Sequence, residues 1–302
     1  MPLDPQVLEI YKSKPAPPEK YVLEEMRAGA DATFNDKTEV IGIYGYEDRT
    51  ILGYLPIRIF YPGDKGPYPV LIYFHGGGFV MHNIASHDSL CRKLSTELNR
   101  IVVSVGYRLA PEFPYPACME DGRAAFKWVY ENAPSFGGIP EKIVLSGDSA
   151  GATISVSVCL WNIKHGLPLP EGLVLFYGMY GAVSEDESES FRMFGNGEYV
   201  LPRKMSDWCM GLYIPKDADL SDPYLYPGKA LSLSGFPKTV VVSAEYDPLR
   251  DDGEKFYSRL KEDGCDAKLI RVEGVMHGFM LYWNRIDKAK ELVSEINEIL
   301  KG

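Results

Sequence analysis

Ser149 sits at the centre of GDSAG, residues 147–151, with Gly147 and Gly151 two residues to either side. Glycine is used where a backbone turns sharply or where another backbone comes close. Glycines on both flanks therefore mark a crowded turn with a serine at its apex. KIVLS (142–146) reads as a buried strand before the turn, and ATISVSVCLWNI (152–163) as a packed helix after it. Strand, sharp turn and helix are the setting a nucleophile elbow requires. A serine hydroxyl is a poor nucleophile at its free pKa. It needs a general base within hydrogen-bond reach, and the base needs a third group to orient it.

Two later residues stand where such partners belong. Asp247 follows a strand-like run at 238–246 and precedes a proline, and His277 follows a run at 268–273 with Gly278 beside it. In parallel α/β sheets, active groups gather on loops beyond the carboxyl ends of strands. The order serine, acid, histidine is that of α/β hydrolases and differs from the chymotrypsin and subtilisin orders. Acyl transfer also needs N–H donors aimed at the developing oxyanion. His75-Gly76-Gly77-Gly78-Phe79 closes a strand at 70–74, and the amides of Gly76, Gly77 and Ala150 are the expected donors. Ala150 opens the helix after the serine, where free N–H groups and the dipole favour an anion.

Other readings weigh against some of these residues. Among the remaining histidines, His82 and His87 follow the glycine loop, and one of them could line the pocket. His165 suits a helix end, and His75 suits holding the loop by hydrogen bonds. Glu245, Asp251 and Asp252 crowd Asp247; Asp251 reads as a helix N-terminal or loop-fixing residue. Asp148 is expected to point away from His277 and to support the elbow. Arg108 and Glu112 read as a structural ion pair that fixes loops.

The elements that must position this chemistry alternate between strands and helices. Helix candidates occupy 4–12, 18–29 and 86–99, and ILGYLPIRIFYP alternates like a strand. Apolar strands at GPYPVLIYFHGG, RIVVSVGYR, LVLFYG and AKLIRVEGV, with intervening helices, imply an α/β fold: a mostly parallel central sheet with helices on both faces. Residues 183–215 break the rhythm with a charged run and an aromatic- and Met-rich stretch, and read as an insertion.

HGGGF, GDSAG, YRLAPE (107–112), DPLRD (247–251) and HGF (277–279) together resemble the hormone-sensitive-lipase-like family of α/β hydrolases. The likeness is to its bacterial and archaeal esterases in particular. It runs from about residue 40 to the C-terminus, and the N-terminal helices suit that family's cap. It implies an α/β-hydrolase catalytic domain at 46–182 and 216–302, with a helical cap from 1–45 and 183–215. It also implies a serine carboxylesterase for short- to medium-chain esters, without metal or cofactor, often as a homodimer. Many members read GDSAGG, whereas Ala152 stands at the last position here; it falls inside the helix, away from the chemistry.

Composition narrows the alternatives. The 302 residues carry a net charge of −10, with 45% hydrophobic and 25% charged residues, which suits a globular protein and disfavours nucleic acid as partner. No apolar stretch approaches the ~18 residues of a membrane span, and the N-terminus lacks the features of a signal peptide. Five scattered cysteines without a CxxC pair read as reduced thiols of a cytoplasmic protein. The triad alone does not separate esters from amides or carbamates. A non-catalytic small-molecule receptor on the same fold would be expected to have lost part of it.

Overall fold

The computed structural model describes residues 2–13, 18–34, 42–184, 186 and 188–301. Parts of the expected cap, residues 1, 14–17, 35–41, 185 and 187, lie outside the described residues. The centre is an eight-stranded sheet. In chain order the strands are β1 (Gly45–Ile51), β2 (Leu55–Tyr61), β3 (Tyr68–Phe74), β4 (Ile101–Val105), β5 (Gly138–Asp148), β6 (Gly172–Phe176), β7 (Lys238–Tyr246) and β8 (Ala267–Met276). Across the sheet they run β1-β2-β4-β3-β5-β6-β7-β8. The pairs β1–β2 and β2–β4 are antiparallel, and every later pair is parallel.

The central strands are apolar on both faces because helices cover both. β4 and β6 are buried along their whole length. One face packs Ile72, Phe74, Leu145, Leu173 and Val241 against α4 (Ala117–Asn132), α5 (Ala150–His165) and α8 (Arg250–Glu262). The other packs Leu71, Tyr73, Val144, Val174 and Val242 against α3 (Asp88–Leu98) and α9 (Asp287–Lys301). α5 is buried on nearly every side, as a helix without a polar face must be.

β1 was not expected. GYEDRTI alternates between half-buried and exposed residues at the sheet edge, so it carries little of the apolar signal of an inner strand. ILGYLPIRIFYP is not one strand but the turn and second arm of a hairpin. Leu52 (φ 54°) and Gly53 (φ 78°) take the left-handed backbone that a two-strand reversal needs.

Four further helices stand near the carboxyl edge of the strands: α1 (Pro5–Lys12), α2 (Leu23–Phe34), α6 (Glu189–Phe194) and α7 (Arg203–Tyr213). α1 starts cleanly, with Asp4 capping the Gln6 N–H and Pro5 in the first turn. Its Val7 and Ile10 pack with Met276, Phe279 and Ile286 of the main body, so α1 is docked on the sheet domain as well as facing the cavity. Among the described residues, no helix is long and apolar enough to cross a membrane.

Candidate active site

Ser149, Asp247 and His277 meet at the carboxyl edge of β5, β7 and β8, each one residue beyond its strand. His277 Nε2 lies 3.0 Å from Ser149 Oγ, and His277 Nδ1 lies 2.7 Å from Asp247 Oδ2. Asp247 is fully buried, and its other oxygen accepts the Leu249 N–H at 2.8 Å. With an ionised carboxylate on Nδ1, the ring carries its hydrogen there and presents an acceptor nitrogen to the serine. The Tyr177 ring meets the imidazole edge-on at 4.9 Å and packs one side of it.

The flanking glycines are explained by close backbone approach. A Cβ on Gly151 would drive into the Phe74 carbonyl oxygen, and one on Gly147 would come within 2.5 Å of that oxygen and of the Gly151 carbonyl carbon. The turn between them is strained: Ser149 has φ 52° and ψ −120°, which few non-glycine residues adopt. Its N–H donates to the Phe176 carbonyl at 2.8 Å, so the end of β6 holds the elbow from beneath.

The glycine loop differs from expectation at one position. The Gly76 N–H donates to Asp148 Oδ1 at 2.9 Å and is therefore taken, so Gly76 does not face the site as an open donor. Gly77 (φ 110°) and Gly78 line the cavity together with Ser149 and Ala150. Among the described residues, no protein acceptor takes the N–H of Gly77, Gly78 or Ala150. Gly77 and Ala150, expected from the sequence as donors, thus line the cavity with open N–H groups, and so does Gly78, which was not expected to. The signal was present in the third glycine of HGGG, but nothing local says which of the three amides is already spent.

Asp148 turns toward Tyr73, Gly76 and His87. Oδ1 accepts from the Tyr73 hydroxyl at 2.8 Å and lies 3.1 Å from His87 Nε2. Burial pushes this carboxyl up, but His87 and the hydroxyl of Tyr73 outweigh burial and hold it at about 2. His75 lies beside this cluster, with its ring stacked 4.2 Å from Tyr107 and Nδ1 donating to the Gly76 carbonyl at 2.8 Å. Burial, with His87 nearby, lowers His75 to about 3, so it stays neutral and structural. His82 lines the cavity, whereas His87 is buried beneath the loop. His165, in the last turn of α5, stacks on Trp161 and donates to its carbonyl.

The remaining acids near Asp247 do other work. Asp251 accepts the Ser190 N–H at 2.7 Å. Asp252 is buried and gathers the backbone N–H groups of Tyr180, Gly181, Ala182 and Val183. Glu245 accepts from the Gly274 N–H at 2.7 Å. The expected Arg108–Glu112 pair does not form. Arg108 instead pairs with buried Asp121 at 2.8 Å, while Glu112 takes a two-pronged pair from Arg27 of α2. Both charges fix loops, but their partners lie elsewhere in the chain.

A cavity of about 660 Å³ opens above Ser149 and His277. Met26, Met179, Leu201, Met205, Met210 and Leu281 give it apolar walls, and Lys12 and Glu25 bring charge to its lining. Methionine is unbranched and adapts to differently shaped ligands. Among the described residues, no group of three or more His, Cys, Asp or Glu could hold a metal ion.

The profile of a family described as alpha/beta hydrolase fold matches residues 71–281. Carboxylesterase NlhH of Mycobacterium tuberculosis (strain CDC 1551 / Oshkosh) is 36% identical over 78% of this chain and 75% of its own length. The arylesterase of Saccharolobus solfataricus is 32% identical, with 93% of each chain covered. The solved hyperthermophilic esterase from the archaeon Pyrobaculum calidifontis matches with a TM-score of 0.91 at 32% identity, covering 100% of this chain and 98% of that one.

Proposed function

Because the chain belongs to the α/β-hydrolase family, among its hormone-sensitive-lipase-like carboxylic ester hydrolases, we propose that it cleaves short- to medium-chain esters through an acyl-enzyme on Ser149. Ser149 Oγ attacks the ester carbonyl while His277 Nε2 takes its proton. Asp247 orients the ring and stabilises its charged form. The N–H groups of Gly77, Gly78 and Ala150 receive the oxyanion. His277 then protonates the departing alcohol, and water repeats the cycle on the acyl-enzyme to release the acid. One ester and one water give one carboxylic acid and one alcohol.

The observation that carries this reading is the hydrogen-bonded line from Asp247 through His277 to Ser149 at the floor of an apolar cavity. The cavity's size and walls favour an aliphatic or aromatic acyl group over a charged one. Walls drawn from α1, α2 and the 199–210 stretch support a cap of residues 1–45 and 183–215 over a catalytic domain of 46–182 and 216–302. The five cysteines are buried and unpaired, which supports a reducing, cytoplasmic setting. A homodimer is part of the same proposal, and light scattering on the purified protein tests it.

Hydrolysis of p-nitrophenyl esters of rising acyl length, by the wild type and Ser149→Ala, tests the mechanism. Turnover is expected in the wild type and is lost in the variant, falling by about 10⁶-fold as for removal of a triad serine. Turnover that survives the substitution would overturn the role of Ser149. An amide panel run beside the esters separates the two substrate classes.

A further inference from the structure

The loop that carries the oxyanion amides is held from two sides. Below, His75 and Gly76 are fixed by Tyr107, Asp148 and the rest of the sheet domain. Above, three consecutive residues each meet a different side chain of α2 or α7. Gly78 lies against Cys209 of α7: a Cβ there would come within 2.8 Å of the sulfur. The Phe79 ring stacks on Tyr213 of α7, with centroids 4.0 Å apart and planes 13° from parallel. The Val80 carbonyl accepts from Arg27 Nε of α2 at 2.9 Å. Phe79, Cys209 and Tyr213 are all buried, so these are packed contacts and not surface touches.

Arg27 is the polar centre of this grip. Besides Val80 it donates to the Ala110 carbonyl at 3.0 Å and to both oxygens of Glu112 at 2.7 and 2.8 Å. The fixed fork of a guanidinium makes such a multi-point clamp, which a lysine cannot reproduce. Arg27 itself lines none of the catalytic cavity, whereas Met26, Gly29 and Ala30 on the same helix do. On α7, Met205, Cys209 and Met210 face the cavity too.

We infer that Arg27, Cys209 and Tyr213 are positioning residues for the oxyanion hole. The helices that wall the substrate cavity also set the place of the Gly77 and Gly78 amides. The cap is thus a fixed part of the catalytic machinery, not a lid that could swing away and leave the chemistry intact. Hydrogen bonds to an oxyanion depend steeply on placement, so loosening the loop costs rate in the transition state more than it costs substrate binding. This inference rests on the serine-esterase reading above.

The decisive variant is Arg27→Gln, because it alters the clamp without touching the cavity. With p-nitrophenyl acetate, kcat is expected to fall by about 10- to 100-fold with KM within about twofold. A trifluoromethyl ketone, whose serine adduct carries an oxyanion, should lose affinity in proportion to the fall in kcat. Arg27→Lys should restore part of both. Glu112→Gln leaves the bond to Val80 in place and should cost less kcat than Arg27→Gln. Equal losses of kcat and of melting temperature in the two variants would mean a structural role only and would overturn the inference, as would a raised KM at constant kcat. If Arg27→Gln does not fold, Cys209→Met, which presses a longer side chain on Gly78, must weaken the ketone by about tenfold, and unchanged ketone binding overturns the inference. Labelling of wild-type Ser149 by a fluorophosphonate separates this failure from failure of the esterase reading. Label and turnover with an unaffected Arg27→Gln would refute only the cap's role.

Discussion

Replacing Asp148 by asparagine isolates the charge that ties the elbow to the glycine loop. The amide would keep the shape and could still accept from the Tyr73 hydroxyl and the Gly76 N–H through its own oxygen. What disappears is the negative charge facing His87 at 3.1 Å. An asparagine also mimics the neutral acid, so the cost of the change can be read from the acid's own titration. The folded protein holds this carboxyl at about 2, against an ordinary value of 3.8. At about 1.4 kcal/mol per pH unit, that difference stabilises the folded, charged form by roughly 2 kcal/mol. The sign follows from a depressed pKa: the stabilisation is complete above the unfolded value near 4 and is lost as pH falls through about 2. Urea unfolding of wild type and Asp148→Asn should therefore show a gap of roughly 2 kcal/mol at pH 7, with the same dependence on denaturant. The gap should narrow between about pH 4 and pH 2. A gap below about 0.5 kcal/mol at pH 7, or one that persists unchanged into acid, would refute the buried charge as a source of stability.

Asp247→Asn should leave the fold intact and lower kcat by about 10⁴-fold, because an amide no longer fixes the histidine tautomer. Steady-state turnover with a matched thermal melt checks it. Asp252→Ala removes the acceptor of four consecutive backbone N–H groups, those of Tyr180 to Val183. It should destabilise the protein by about 3 kcal/mol or more, measured by denaturant unfolding, and a change within about 0.5 kcal/mol would count against an anchoring role.

Much of the candidate site was legible because its residues sit where strands end. Apolar runs at 142–146, 238–246 and 268–273 located the sheet, and Ser149, Asp247 and His277 stand within one to four residues of where these runs end. The aspartates of DPLRDD could be ranked by the same logic: Asp247 closes a strand, whereas Asp251 and Asp252 fall in the first turn of α8. The edge strand β1 escaped because one of its faces meets solvent and its residues are charged. The hairpin at Leu52 and Gly53 escaped because leucine gives no warning of a left-handed backbone.

The candidate oxyanion donors belong to a different kind of problem. Three glycines in a row are chemically alike, and a backbone N–H carries no side-chain signature. Gly76 is excluded only by a carboxylate 72 residues away in the chain, which reaches it because β3 and β5 are neighbours. Arg27 is likewise an ordinary charged residue in an amphipathic helix until the fold sets it against Val80. Side chains that act by chemical identity could be found from spacing along the sequence. Groups that act by where they are held depend on contacts between distant segments, and those contacts include the ones that join α2 and α7 to the glycine loop.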